Sequence, residues 1–176
     1  MRVAPGPAWI KRGPGAHACA LGFDPVIPHA RAVLVIESAP ERGVGVVLIA
    51  PPSGDADWLA YADAIDAMNR SAPRTSRPVL MQIIRSGTSV PSALVRKRLA
   101  ELRATIRSDA VNVVVSETAT LRSAQIALDW LRKPHYATST HADRSAALRH
   151  AEGVVGHPLP ELRELAHRAE LRARTR

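Results

Sequence analysis

Val79-Leu80-Met81-Gln82-Ile83-Ile84 and Val111-Asn112-Val113-Val114-Val115 are short aliphatic runs rich in β-branched residues, and the segment between them has a different period. Runs of five or six such residues bounded by turn formers read as strands buried in a sheet. Between them, Val95, Leu99, Leu102 and Ile106 fall at i, i+4, i+7 and i+11, one face of a helix. Arg96, Arg103 and Arg107 lie along another face. The loop Arg85-Ser86-Gly87-Thr88-Ser89 leads to Pro91, which suits a first helical turn. A strand, a helix and a strand in this order form a crossover, so the two strands are predicted to run parallel.

The same alternation extends outward in both directions. Upstream, Ala32-Val33-Leu34-Val35-Ile36 and Val44-Gly45-Val46-Val47-Leu48-Ile49 flank Ala39-Pro40-Glu41-Arg42-Gly43, a turn-rich link that predicts a hairpin. Trp58, Tyr61/Ala62, Ile65 and Met68 then repeat at helical spacing, with Asp55 or Asp57 placed to cap. Downstream, Leu121, Ala124, Leu128 and Leu131 mark a helix that Thr118 or Thr120 caps and Lys133-Pro134 stops. His135 to Thr140 is a weaker strand. Thr140-His141-Ala142-Asp143 has capping-box spacing and opens a helix through Glu152. Gly153 and Gly156 end it, and Pro158/Pro160 launch an amphipathic helix on Leu162, Leu165, Ala166 and Ala169. The predicted order is β-β-α-β-α-β-α-β-α plus a C-terminal helix. That is an α/β fold with a mostly parallel sheet covered by helices.

Three segments follow from this reading: an irregular Pro/Gly-rich arm over 1–30, the α/β domain over 31–152, and the C-terminal helix over 153–176. The first forty residues hold six Pro, at 5, 7, 14, 25, 28 and 40. The longest apolar runs, Ala32 to Ile36 and Val44 to Ala50, are far short of the roughly 20 residues that span a bilayer. No membrane association is expected, and a cytoplasmic location with a reduced Cys19 is the default.

Composition limits the function classes. Aromatic residues are 3% of the 176, so the core is aliphatic and platforms for stacking bases are scarce. A single cysteine excludes an internal disulfide and a cysteine zinc cage. The net charge of +8 comes from 21 Arg and 3 Lys against 16 acidic residues. An Arg and Ala excess of this kind also reflects a GC-rich genome. Residues 71–109 concentrate the charge, with eight basic and two acidic residues. Arg96, Lys97, Arg98, Arg103 and Arg107 are therefore a candidate basic surface for an anion, or simply a solvated helix face.

No motif carries strong chemistry. There is no Gly-x-x-x-x-Gly-Lys-Ser/Thr and no Gly-x-Gly-x-x-Gly, and the histidines lack metal-ligand spacing, so no cofactor and no metal are expected. Nor is there a nucleophile elbow to support a Ser-His-Asp set. The most suggestive loop holds Ser86, Thr88 and Ser89, between the carboxyl end of a buried strand and the start of a helix. Ligands gather there in open α/β sheets, and helix N-termini favour anions. These three residues are candidate phospho-acceptors or plain helix caps.

The chain resembles the STAS-like (SpoIIAA-like) proteins of myxobacteria and other GC-rich bacteria, over about residues 31–152. The resemblance is carried by the strand-turn-strand and by Asp57-Trp58-Leu59-x-Tyr61. Pro91-Ser92-x-x-x-Arg96 adds to it, as does Val113-Val114-Val115-Ser116 leading into Arg122-x-x-x-Ile126-x-x-x-Trp130-Leu131. Thr138 to Glu152 completes it. STAS domains include anti-sigma-factor antagonists and the cytoplasmic tails of sulfate transporters. The resemblance implies a non-enzymatic regulatory module that binds another protein, in some cases under control of a phosphorylated serine. The antagonists carry that serine after the third strand, following an Asp-Ser-Ser/Thr-like signature. Here the matching stretch is Arg85-Ser86-Gly87-Thr88-Ser89, with arginine near the place of the aspartate.

The expected function is thus a signalling domain for protein-protein interaction, an anti-sigma-antagonist-like module, with another protein or a second copy as its partner. The alternative is a nucleic-acid-binding module on the basic 71–109 region, which steep loss of binding with salt would reveal.

Overall fold

The computed structural model describes residues 33–131 and 133–175. The irregular arm expected over 1–30 lies outside the described residues. The chain forms β1 (Val33–Ala39), a single 3-10 turn (Pro40–Arg42), β2 (Val44–Ala50), α1 (Asp55–Ser71) and β3 (Val79–Ile84). It continues with α2 (Ala93–Thr105), β4 (Val111–Ser116), α3 (Ala119–Leu131), β5 (Ala137–His141), α4 (Arg144–Val155) and α5 (Pro160–Arg174). The element order is the one expected from the sequence. The five strands make one sheet in the order β1-β2-β3-β4-β5. β1 is antiparallel to β2, and the other pairings are parallel.

The hairpin is closed by Gly43, whose φ of 68° lies in the left-handed region that a side chain disfavours. Its N–H donates to the Pro40 carbonyl at 3.0 Å, which completes the turn. From β2 onward each strand pairs with the next one in the chain, so α1, α2 and α3 all cross in the same direction. Right-handed crossovers in one direction stack on one face of the sheet. The opposite face is left to α4 and α5.

Side-chain alternation sorts the core accordingly. Val47 and Ile49 of β2 pack with Trp58, Tyr61, Ala62 and Ile65 of α1 and with Val95 and Leu102 of α2. Val44, Val46 and Leu48 of β2 point the other way, toward Leu162, Leu165, Ala166 and Ala169 of α5. α4 adds Ala147, Leu148 and Ala151 to that larger cluster. The C-terminal helix is therefore built into the core of the sheet. Arg168 and Arg172 of α5 also reach the buried Glu37 of β1, at 3.4 and 2.7 Å.

Several helix starts differ from the sequence expectation. α1 is capped at Gly54, and Asp57 accepts the Gly54 N–H at 2.8 Å from inside the first turn. Neither Asp55 nor Asp57 is the cap itself. α2 begins after Pro91, because Val90 precedes a proline and is driven extended; Ser92 becomes the cap. Thr118 precedes α3, but its hydroxyl has no partner among the described residues. α4 is capped by Asp143, whose carboxylate accepts the Ala146 N–H at 2.8 Å. Thr140 instead belongs to β5, which ends at His141. α4 runs through Gly153 and stops at Gly156.

β5 and α4 meet through His141 and His150, whose rings lie 5.3 Å apart. His141 Nε2 is 2.8 Å from Ser139 Oγ. Burial, and then the neighbouring His150, hold the His141 pKa below its ordinary 6.5, against a smaller opposing pull from Asp143. The folded protein thus binds this proton less readily than the unfolded chain. The contribution is whole above pH 6.5 and is lost as pH falls through 6.5 toward the folded value. The melting temperature should accordingly drop between roughly pH 7.5 and pH 5.5, and His141→Gln should flatten that drop. An equal slope in wild type and variant would assign the effect to other groups. In the core, Leu162 is fully buried, so Leu162→Ala should cost about 2–5 kcal/mol in urea unfolding.

Candidate functional site

The carboxyl ends of β2, β3, β4 and β5 lie along one edge of the sheet, and the loops that follow them are tied to one another. Ser89 Oγ donates to the Ser53 carbonyl at 2.5 Å, and the Ser89 N–H donates to Ser53 Oγ at 3.1 Å. The Ser92 N–H donates to Asp55 Oδ1 at 3.3 Å. Trp58 Nε1 donates to the Ser89 carbonyl at 3.1 Å, while its ring meets Tyr61 edge-on at 5.2 Å. The residues of Asp57-Trp58-Leu59-x-Tyr61 therefore have separate structural tasks. Asp57 fixes the helix start, Trp58 anchors the next loop and Tyr61 bonds Gln82 on β3.

None of the three hydroxyls singled out in that loop caps α2. Ser92 does, accepting the Val95 N–H at 3.4 Å. Thr88 is buried and its hydroxyl donates to the Arg85 carbonyl at 2.7 Å, closing a turn around Gly87, where φ is 82°. Ser89 is exposed but committed to Ser53. Ser86 is exposed at the turn and is the accessible hydroxyl of the three that makes no hydrogen bond among the described residues.

The cations near the loop are engaged. Arg85 Nη1 lies 2.6 Å from Glu117, and Nη2 lies 3.6 Å from Glu170 of α5. Glu170 also binds Arg144 at 2.8 Å. These pairs join β3, β4, α4 and α5 across the carboxyl edge. Arg122 donates to the carbonyls of Ser116 and Glu117, at 2.7 and 2.9 Å.

The candidate basic surface is divided in the same way. Arg98 pairs with Asp63 at 3.3 Å, Lys97 with Glu101 at 4.0 Å and Arg107 with Asp109 at 2.7 Å. Arg107 also donates to the carbonyls of Pro73 and Ser76, which makes it a brace. Its hydrogen bonds hold the Asp109 carboxyl below the usual carboxylate range. Arg103 turns inward to Asp129 of α3 at 2.9 Å. Arg96 donates to the Pro91 carbonyl at 2.7 Å. The acidic stretch of α1 thus neutralises part of the positive charge that the sequence concentrates on α2. Apolar side chains stand out instead. Val90 and Leu94 are each 68% exposed at the start of α2.

A second region was not singled out by sequence. Tyr61, Gln82 and Asn112 form a hydrogen-bonded row under α1 and α2, with Gln82 Nε2 donating to Asn112 Oδ1 at 2.6 Å. Burial pushes the Tyr61 hydroxyl well above its ordinary pKa, and Tyr136 is raised for the same reason. Beyond that row, an open groove of about 550 Å3 runs between α3 and β5. The available signal was the polar composition of Thr138-Ser139-Thr140-His141. Among the described residues, no group of three or more His, Cys, Asp or Glu is placed to hold a metal ion. No described helix is long and apolar enough to cross a membrane.

No protein-family model matches the chain, and no curated protein or solved structure matches it significantly. The residues themselves therefore carry the functional argument. The cap assignment is directly testable. Ser92→Ala should cost about 1 kcal/mol of stability, whereas Ser86→Ala should be close to neutral. Denaturant unfolding of the two variants checks this, and equal losses would refute the assignment.

Proposed function

We propose that the chain is a non-enzymatic, cytoplasmic regulatory domain of STAS-like type, a signalling module that docks another protein in the manner of an anti-sigma-factor antagonist. The observation that carries this reading is the exposed pair Val90 and Leu94 beside the Ser86 turn. Each is a large aliphatic side chain left in water, although the sequence places buried positions close by at Val95 and Thr88. Burying one such side chain against a partner is worth about 1.5–3 kcal/mol.

Their setting supports the same reading. The bonds among Ser53, Asp55, Trp58, Ser89 and Ser92 hold the loop and the first turn of α2 in place before any partner arrives. Preorganisation of this kind reduces the ordering cost of association. Ser86 sits at the rim of the apolar pair. A phosphoryl group there would bring nearly two negative charges to an apolar rim, and the adjacent Arg85 already serves two carboxylates. Modification would then oppose docking. The nucleic-acid alternative draws less support, since four of the five cations proposed for it are paired with carboxylates of the same chain.

The experiment is affinity capture with the doubly substituted Val90→Asp/Leu94→Asp chain, compared with wild type and with Leu171→Asp, an exposed site on α5. The double variant should lose capture of the wild-type partner by roughly tenfold or more while its melting temperature stays near wild type. Leu171→Asp should retain it. Undiminished capture by the double variant would overturn this docking surface, and light scattering would show whether the partner is a second copy.

A further inference from the structure

The two edges of the sheet are built differently. β1 carries the buried Glu37, which Arg168 and Arg172 of α5 hold. An inward-pointing charge is one of the devices that keep an edge strand from pairing with another chain. β5, at the other edge, is Ala137-Thr138-Ser139-Thr140-His141, with no proline, lysine or carboxylate. The Ala137 N–H donates to the Ala110 carbonyl at 3.1 Å, so Ala137, Ser139 and His141 turn their backbone groups toward β4. The backbone groups of Thr138 and Thr140 are therefore directed away from the sheet.

Beside this edge α3 leaves a stripe of large apolar side chains in water. Ile126 is 47% exposed and Trp130, one turn on, is 86% exposed, and both border the groove. A dimer at the small end of the stable range needs about 600 Å2 from each copy. Trp130 alone supplies about 200 Å2 of it. Ile126, Pro134, the exposed Lys133 and His135, and the strand edge adjoin it. Charge selects the occupant. The chain carries a net +8, so two copies repel unless their contact is charge-matched. Asp129 is balanced by Arg103 at 2.9 Å. Lys133 precedes β5 and the exposed Asp143 follows it. Antiparallel pairing of two copies therefore brings each lysine to the aspartate end of the other strand. The edge is self-complementary, as a two-fold contact requires.

We propose that β5 pairs antiparallel with β5 of a second copy of this chain, about a two-fold axis at Ser139, joining the two sheets into one. Thr138 of each copy exchanges both backbone hydrogen bonds with Thr140 of the other. The axis stands perpendicular to the sheet, so the two α3 helices lie on the same face. With strands about 4.8 Å apart, those helices come within the ordinary packing distance of about 8–10 Å. Ile126 and Trp130 of each copy then cover the groove of the other. This surface is separate from the Val90 and Leu94 rim and does not depend on it.

Sedimentation velocity of the full chain from about 1 to 200 μM tests this, a range that covers the micromolar dimer expected of a small interface. Trp130→Glu should weaken dimerisation roughly tenfold or more. Thr140→Pro should do the same, because it removes an outward N–H that the edge strand itself does not use. Trp130→Glu, at an exposed site, keeps the test decisive if the proline disturbs β5. Val90→Asp/Leu94→Asp should dimerise like wild type. In a Cys19→Ser background, Ser139→Cys should form a disulfide-linked dimer in oxidised glutathione, since residues paired on the axis have Cα atoms about 4.5 Å apart, within disulfide reach. A chain that stays monomeric at about 200 μM, well above a micromolar Kd, would overturn the proposal. So would a dimer that survives Trp130→Glu, a dimer lost in Val90→Asp/Leu94→Asp, or a dimer in which Ser139→Cys does not cross-link.

Discussion

Double burial of β2 is the constraint on which the rest of the architecture depends. Val46, Val47, Leu48 and Ile49 are successive residues with no exposed surface, so helices must cover both faces of that strand. An antiparallel hairpin alone would leave one face in water. The chain meets the demand with three crossovers on one side and with α4 and α5 on the other. β4 is buried along its whole length in the same way. α5 is then a structural necessity: without Leu162, Leu165 and Ala169, the outer faces of Val44, Val46 and Leu48 would be exposed. The ion pairs of Glu37 with Arg168 and Arg172 hold that helix along the edge strand.

Strands and helices were legible because their periods are long and regular. The alternation of aliphatic runs with helical stripes survives any error at the ends, and both the element order and the parallel pairing followed from it. The ends themselves depend on single hydrogen bonds. Asp55 and Asp57 both carry the residue type of a cap, and the outcome turned on the Asp57 carboxylate reaching back to Gly54 from within the first turn. Ser86, Thr88 and Ser89 carry the residue types of a cap, yet Val90-Pro91 keeps the backbone extended until Ser92. The same limit applied to charge. A count over 71–109 registers the arginines of α2, but Asp63 and Asp129, which neutralise Arg98 and Arg103, come from α1 and α3. Pairing across elements leaves no trace in a local sum.

The carboxyl edge of the sheet and the groove between α3 and β5 differ in construction. At β2 and β3 the loops are cross-bonded, and Trp58 fixes one of them from below. Rigid backbone with outward aliphatic groups is suited to a macromolecular partner, for which ordering costs would be large. Beside β5 the groove is bordered by Ile126, Trp130 and Pro134 together with Asp129, which Arg103 holds at 2.9 Å.

Arg103 connects the two. It projects from the same helix whose first turn carries Leu94, and it ends on Asp129 at the lining of the groove. α2 therefore carries Leu94 of the proposed docking rim on its first turn and, on its last, the arginine that pairs with Asp129. The chain supplies the physical link in one ion pair, with a side chain on each of the two helices that border the groove and the rim.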